Sequence, residues 1–481
     1  MSETDLHGLI KDALVLWGVW GRCVWTNEGL LVSTVLRRRV LVRRASELER
    51  PARWIMQVPS ENGGAACPER PAGSIVGLLG ALRKMLGAAQ GGHALRIVPS
   101  GGPTLPLQPR GAQHRRGESA NSDNPASSPE VSSPQPPSPQ ALAEATPVSV
   151  VTGFLGSGKT TLIQKVLRDP RFAGTAVIVN EFGEIGLDHD VLASSSDALI
   201  RLSTGCLCCA VRSDLVETLL DLHHRRACGE VDFERIIIET SGLADPVPIL
   251  QSLMTDKVAA TLFVLDGVLT LVDAVHGLPT VTTHVEAQRQ LAVADRILLT
   301  KTDVTTPSAA LLGELHALNP VAPYAFAVHG AAAIDWLFEI GSSRDAGRAT
   351  EALLARDSAP RHSGAHESIV ITSASPIPAL ALTLLLQALA DHAGDRLLRM
   401  KGLVAVAEMP DRPALVHGVQ HVFAAPEWLE AWPSSERYTR IVLIGTSIPR
   451  RWPARLLAAI TEDVLDAQRP SRDDGARIGL A

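Results

Sequence analysis

Residues 148–167, VSVVTGFLGSGKTTLIQKVL, decide the architecture of this 481-residue chain. Val148–Thr152 is a short β-branched run of the kind buried in a sheet, and Lys159–Arg168 carries apolar residues at helical spacing. Between them Gly153, Gly156 and Gly158 permit a tight turn whose backbone N–H groups converge on one point. The pattern G-x-x-x-x-G-K-[ST], placed after a strand and before a helix, reads as a phosphate-cradling loop. In that reading Gly153, Gly156, Ser157, Gly158, Thr160 and Thr161 surround the phosphates. Lys159 reaches the β- and γ-phosphates, and the Thr160 hydroxyl takes one position on Mg²⁺.

Downstream, short apolar runs alternate with helical patterns. Ala176–Asn180, Arg235–Glu239, Leu269–Asp273, Arg296–Thr300 and Tyr324–Val328 read as strands, and Arg212–Ala227, His284–Val293 and Ser308–Leu318 as helices. Continuous apolar strands separated by helices predict an α/β domain over residues 147–335, a P-loop NTPase parallel sheet with helices on both faces. Two strand ends carry further chemistry. In Arg235-Ile-Ile-Ile-Glu239-Thr-Ser-Gly242, Glu239 is placed to hold the Mg²⁺ shell, and Gly242 lies where backbone must approach a γ-phosphate. Lys159, Glu239 and Gly242 are therefore the candidate catalytic set, with Asp245 and Pro246 completing a switch loop. Thr300-Lys301-Thr302-Asp303 follows another strand and matches the guanine-reading N-K-x-D pattern except for Thr in the Asn position. Asp303 would accept two hydrogen bonds that only guanine offers, and the Lys301 stem would lie along the base, which favours GTP over ATP.

Gly205-Cys206-Leu207-Cys208-Cys209 lies between the phosphate loop and Glu239. Three thiols so close converge naturally on one soft or borderline cation, zinc or cobalt among them, with redox exchange and plain structural packing as the alternatives. A fourth ligand is not fixed by spacing. Asn180–His189, NEFGEIGLDH, offers Glu181, Glu184, Asp188 and His189 in a glycine-containing stretch where nucleotide-sensing loops occur.

The remainder of the chain is less explicit. Residues 1–97 read as a small mixed segment, with strand character in Leu30–Val42, helical spacing in Ile75–Leu86, and no motif that carries chemistry. Cys23 and Cys67 read as ordinary thiols. Residues 98–146 are rich in Pro, Ser, Gly and Gln and read as a disordered linker that holds its flanking units apart. A connector is expected over 336–365, an α+β C-terminal domain over 366–470 and a tail over 471–481. His417 and His421 in that domain read as packed or solvated side chains ahead of a secondary metal contact. Lys+Arg 45 against Asp+Glu 51 leaves a net charge of −6, and aromatic residues make up only 4%. That balance argues against nucleic acid as the partner. Neither a secretory signal nor a membrane-length apolar run is evident, so a cytoplasmic protein is expected. Six Cys are too few for a disulfide scaffold.

Taken together, GFLGSGKTT at 153–161, NEFGEIGLD at 180–188, GCLCC at 205–209, ETSGLADP at 239–246 and TKTD at 300–303 resemble the CobW family of SIMIBI-class P-loop GTPases. LLRMKG at 397–402, HGVQHVF at 417–423 and IVLIG at 441–445 resemble that family's C-terminal domain. The resemblance implies GTP binding and hydrolysis coupled to delivery of zinc, or in some members cobalt, to a client protein. It implies Cys206, Cys208 and Cys209 as metal ligands, with Glu181 as a participant. Residues 1–97 and the Pro-rich linker lie outside it, and no long His-rich tract of the kind that stores metal is present.

Overall fold

The computed structural model describes residues 1–59, 68–88, 96–98, 145–180, 199–201, 210–256, 258–327, 362–363 and 366–468. The chain opens with a helix, Glu3–Leu16, started by a capping box in which the Ser2 hydroxyl accepts the Asp5 N–H and Asp5 accepts the Ser2 N–H. Five antiparallel strands follow in meander order: β1 (Gly21–Thr26), β2 (Gly29–Thr34), β3 (Arg39–Arg44), β4 (Trp54–Gln57) and β5 (Arg70–Ala72). The strand-like run Leu30–Val42 is thus the hairpin β2–β3 rather than one strand, because Thr34 and Arg38 pair backbone groups across the turn between them. The Ile75–Leu86 helix stands as its spacing predicts, ended by Gly87 in the left-handed region at φ 65°. A short strand, β6 (Arg96–Val98), comes next.

The central domain begins with β7 (Thr146–Gly153) and continues through β8 (Thr175–Asn180), β9 (Leu199–Arg201), β10 (Arg235–Thr240), β11 (Phe263–Asp273), β12 (Arg296–Thr300) and β13 (Tyr324–Phe326). These form one seven-stranded sheet in the order β13-β12-β11-β7-β10-β8-β9, with every pairing parallel. The alternation within β10 shows why helices must cover both faces. Ile237 faces the Lys159–Arg168 helix through Leu162, Ile163 and Val166. Ile236 and Ile238 face the Ala210–Ala227 and Val247–Thr255 helices through Leu215, Leu219, Leu250 and Leu253. The strand expected at Leu269–Asp273 starts earlier, at Phe263. Asp266 and Gly267, which interrupt the apolar pattern, sit at a register shift between Leu265 and Gly267, and Asp266 accepts the Ser149 hydroxyl across the sheet at 2.9 Å.

The third unit is a mostly antiparallel sheet built from β14 (His362–Ser363), β15 (His366–Ser373), β16 (Leu397–Val404), β17 (Ala414–Val419), β18 (Val422–Ala424) and β20 (Thr439–Gly445), with β19 (Glu427–Trp428) paired to β17. β6 completes its edge in parallel with β18. Helices Ala379–His392 and Trp452–Gln468 cover one face.

The first unit is not held away from the third. One apolar core runs through both, joining Leu9, Ile10, Leu78, Leu79 and Leu82 to Leu385, Leu389, Trp452, Leu456 and Ile460. Around it Arg53 pairs with Asp463 at 2.6 Å, Arg455 with Asp12 at 2.6 Å, and Trp17 Nε1 donates to His392 Nδ1 at 3.2 Å. Exposed apolar surface on the Ala379–His392 and Trp452–Gln468 helices is better covered than solvated, which is why the first unit packs here; residues 99–144 of the expected linker lie outside the described residues. Among the described residues no helix is long and apolar enough to cross a membrane.

Candidate functional site

The site grows from the carboxyl ends of β7, β10, β11 and β12, where a parallel sheet leaves its ligand crevice. At the end of β7 the chain needs φ values closed to ordinary side chains: Gly153, Gly156 and Gly158 have φ 144°, 72° and 92°. A Cβ on Gly153 would also stand 2.5 Å from the Leu271 carbonyl oxygen of β11. Lys159, only 8% exposed, folds back so that Nζ donates to the Gly153 carbonyl at 2.8 Å and the Phe154 carbonyl at 3.2 Å, which centres a cation inside the loop. Ser157 is buried, Thr160 partly buried and Thr161 exposed on the first helical turn.

β10 pairs with β7 in a register that sets Glu239 opposite Val151. The Thr160 hydroxyl donates to Glu239 Oε1 at 2.9 Å, and Glu239 is 5% exposed. The two residues read from sequence as the magnesium-binding pair thus meet across two elements. Beyond β10, Gly242 lies so close to the phosphate loop that an added Cβ would be 2.6 Å from a Leu155 methyl and 2.8 Å from its Cα and N. Any side chain there pushes the two loops apart.

At the end of β12, Lys301 adopts φ 58° and its Nζ pairs with Asp273 Oδ2 of β11 at 2.7 Å. Asp303 is exposed in the following turn. Thr300, the residue that departs from N-K-x-D, donates its hydroxyl to the Ser157 carbonyl at 2.8 Å and so ties this strand end to the phosphate loop. A cavity of ≈ 140 Å³ lies between the loop and the helices Gly277–Thr283 and Val285–Ala292, lined by Phe154, Leu155, Asp273, His276, Gln290 and Lys301 among others. Phe154 stacks on His284 with ring centroids 4.5 Å apart.

Cys206, Cys208, Cys209 and Glu181 lie outside the described residues, as do Glu184, Asp188 and His189. Among the described residues no group of three or more His, Cys, Asp or Glu side chains is arranged to hold a metal. His417 stands opposite Lys401 in the β16–β17 register, close to Asp295 and Arg399; burial first and the Arg399 charge second push its pKa down to about 4.

Sequence reasoning missed the residues that grip the loop after β10. Arg289 Nη1 pairs with Asp245 Oδ2 at 2.9 Å, and Gln290 Nε2 donates to the Gly242 and Ala244 carbonyls, each at 3.1 Å. The available signal was two glutamines, Gln288 and Gln290, inside an eight-residue helix that packs against the sheet. Buried amides imply partners.

The order of domains matches known models. Residues 147–326 match the CobW/HypB/UreG nucleotide-binding domain, and residues 366–461 match the cobalamin synthesis protein CobW C-terminal domain. The zinc chaperone YjiA of Escherichia coli K12 is 34% identical over 307 residues, covering 63% of this chain and 94% of that protein. A zinc chaperone CobW from a Sinorhizobium species is 33% identical over 338 residues, covering 62% of this chain and 92% of its own length. The crystal structure of Zn(II)-bound YjiA GTPase from E. coli superposes with a TM-score of 0.52 at 29% identity, covering 66% of this chain and 99% of that one. With a phosphate loop, a facing carboxylate and both domains in sequence, the chain belongs to the CobW family of P-loop GTPases.

Proposed function

We propose that the protein is a GTP-hydrolysing zinc chaperone that carries its metal on Cys206, Cys208 and Cys209 and passes it to a client protein. The protein is a GTPase, and GTP, Mg²⁺ and zinc are its ligands. The observation that carries the reading is the 2.9 Å contact between Thr160 and Glu239 beneath a loop whose glycines hold Lys159 at its centre. A hydroxyl and a carboxylate are hard oxygen donors of the kind Mg²⁺ takes, so Thr160 and Glu239 would hold the ion, which would supply charge neutralisation to the phosphates. Lys159 withdraws from the Gly153 and Phe154 carbonyls to meet the phosphates, Asp303 reads the guanine edge and the Lys301 stem lies along the base. The three thiols suit zinc or Co²⁺ as cargo, with a carboxylate from Glu181 as a further ligand.

The thiol segment lies in sequence between the phosphate loop and Glu239, so nucleotide state and metal affinity are two readouts of one switch. Linkage then makes the coupling reciprocal: zinc shifts nucleotide affinity by the factor by which nucleotide shifts zinc affinity. The test replaces Cys206, Cys208 and Cys209 by Ser in the full chain. Loss of stoichiometric zinc, together with loss of zinc-dependent change in GTP turnover, supports the chaperone reading. Retained zinc content, or GTP turnover that was already independent of metal in the parent, would assign the cysteines a structural role in a GTP-dependent regulatory switch.

A further inference from the structure

We infer that Gln290 is a positioning residue for GTP hydrolysis, setting the conformation of the loop that follows Glu239; the inference rests on the GTPase reading above. The side chain is fully buried, yet its amide is spent on the loop and not on its own helix. Nε2 donates to both the Gly242 and the Ala244 carbonyl oxygens at 3.1 Å. Its backbone is fixed in turn, since the Thr270 hydroxyl of β11 donates to the Gln290 carbonyl at 2.9 Å. One residue earlier, Arg289 takes Asp245, so a single helix holds three points of a loop whose other side lies against Leu155.

The consequence for the reaction follows from peptide geometry. In a planar trans peptide the C=O and N–H point in opposite directions. Anchoring the Gly242 and Ala244 carbonyls on Gln290 therefore turns the N–H groups of Leu243 and Asp245 away from the helix. Oriented backbone dipoles of this kind act on developing charge without reorganising during the reaction. The other end of the amide, Oε1, is buried without a hydrogen-bond partner among the described residues. A buried acceptor left open is costly, and a loop N–H that shifts toward it gains a bond. Gln290 thus has the means to hold the loop in two settings, through its donor in one and its acceptor in the other.

The experiment compares Gln290→Leu and Gln290→Glu with the parent, measuring kcat and KM for GTP, GDP affinity and thermal stability. Gln290→Leu keeps the volume and removes the donors. The expected result is a drop in kcat of about 10-fold, the size of one to two neutral hydrogen bonds, with GDP affinity retained. In Gln290→Glu a carboxylate faces two carbonyl oxygens and cannot donate, whereas its protonated form can. Burial raises the pKa of such a carboxyl, so kcat relative to the parent rises as the pH falls from about 8 to about 6. A residue with only a structural role gives no such relative gain. Parent-like kcat in Gln290→Leu overturns the inference, as does a pH-independent loss in both variants accompanied by loss of GDP affinity. A parent that does not turn over GTP overturns both the inference and the GTPase reading, so the two failures are distinct.

Discussion

Asp295→Asn tests how the nucleotide domain is joined to the C-terminal sheet. Asp295 stands between the Val285–Ala292 helix and β12, and its side chain is 7% exposed. Arg399 and Lys401 of β16 converge on Oδ1, Lys401 at 2.6 Å, and the Val268 N–H donates to Oδ2 at 2.9 Å. Burial opposes ionisation, but the two cations and the backbone donor prevail and hold the carboxyl well below its ordinary range. Among the described residues Arg399 leans on this carboxylate: its Nε and Nη1 are buried without hydrogen-bond partners there, and its side chain is 4% exposed. Asparagine preserves shape and can still accept from Val268, so the substitution removes charge and little else. Breaking a buried ion pair from one side costs about 3–5 kcal/mol, because the surviving charge stays buried. Urea unfolding followed by tryptophan emission should show a loss of that size. Adding Arg399→Met and Lys401→Met should return most of it, because the burial penalty of the cations disappears with them. A loss below about 1 kcal/mol for Asp295→Asn would refute the argument, since it would mean that water reaches the triad and screens it.

Two further outcomes follow from the same structure. Glu239→Gln keeps an oxygen acceptor for Thr160 but removes the carboxylate charge offered to Mg²⁺; GTP turnover should fall on the order of 100-fold, about 3 kcal/mol, while GDP binding measured in a chelator stays near the parent value. His392 is pushed down to about 4, by burial first and the Arg83 charge second, so the folded protein keeps it neutral where the unfolded chain would protonate it. Stability from this group is complete above about pH 6.5 and is lost as the pH falls toward about 4, to a limit of about 3 kcal/mol, and hydrogen exchange should show the Glu3–Leu16 helix opening more readily in that window, because opening the Trp17–His392 contact lets the imidazole take a proton.

The legible part of this protein was the part in which local chemistry admits one solution. Gly153, Gly156 and Gly158 adopt positive φ where the chain must turn around phosphate, and that demand is visible in the residues themselves. The apolar β10 run was readable for the same reason, since Ile236, Ile237 and Ile238 can be buried together only with both faces covered. Thr300 was readable as a departure but not as a contact. Its bond to Ser157 joins residues 143 positions apart, and nothing local announces it. The Glu3–Leu16 helix and the docking of the first unit were hidden for a related reason: Leu9 and Ile10 acquire their meaning from Trp452 and Leu456, which no periodicity within residues 1–97 encodes. The strand at Phe263–Asp273 was cut short by Asp266 and Gly267, a pattern that signals a break when read alone and a bulge when Ser149 is seen to take the carboxylate.

The contacts between the central domain and the C-terminal sheet are not scattered. The Val247–Thr255 helix begins in the switch loop itself, where Asp245 Oδ1 accepts the Val247 N–H at 3.0 Å, and its Gln251 donates to Gln420, between β17 and β18, at 2.5 Å. The Val285–Ala292 helix holds that loop through Arg289 and Gln290, and its Gln288 meets His366 Nδ1 at the start of β15 at 2.9 Å, with Asp295 and its two cations a few residues on. Two helices that touch residues 241–246 therefore reach the third unit, one through a glutamine pair and the other through an amide, an imidazole and a buried ion cluster. A loop displacement that moves Gly242 relative to Leu155 must strain these buried contacts or carry the sheet with it. Packed interfaces that resist continuous deformation tend to switch between discrete arrangements, so the C-terminal sheet is placed to register the state of the loop without touching the nucleotide.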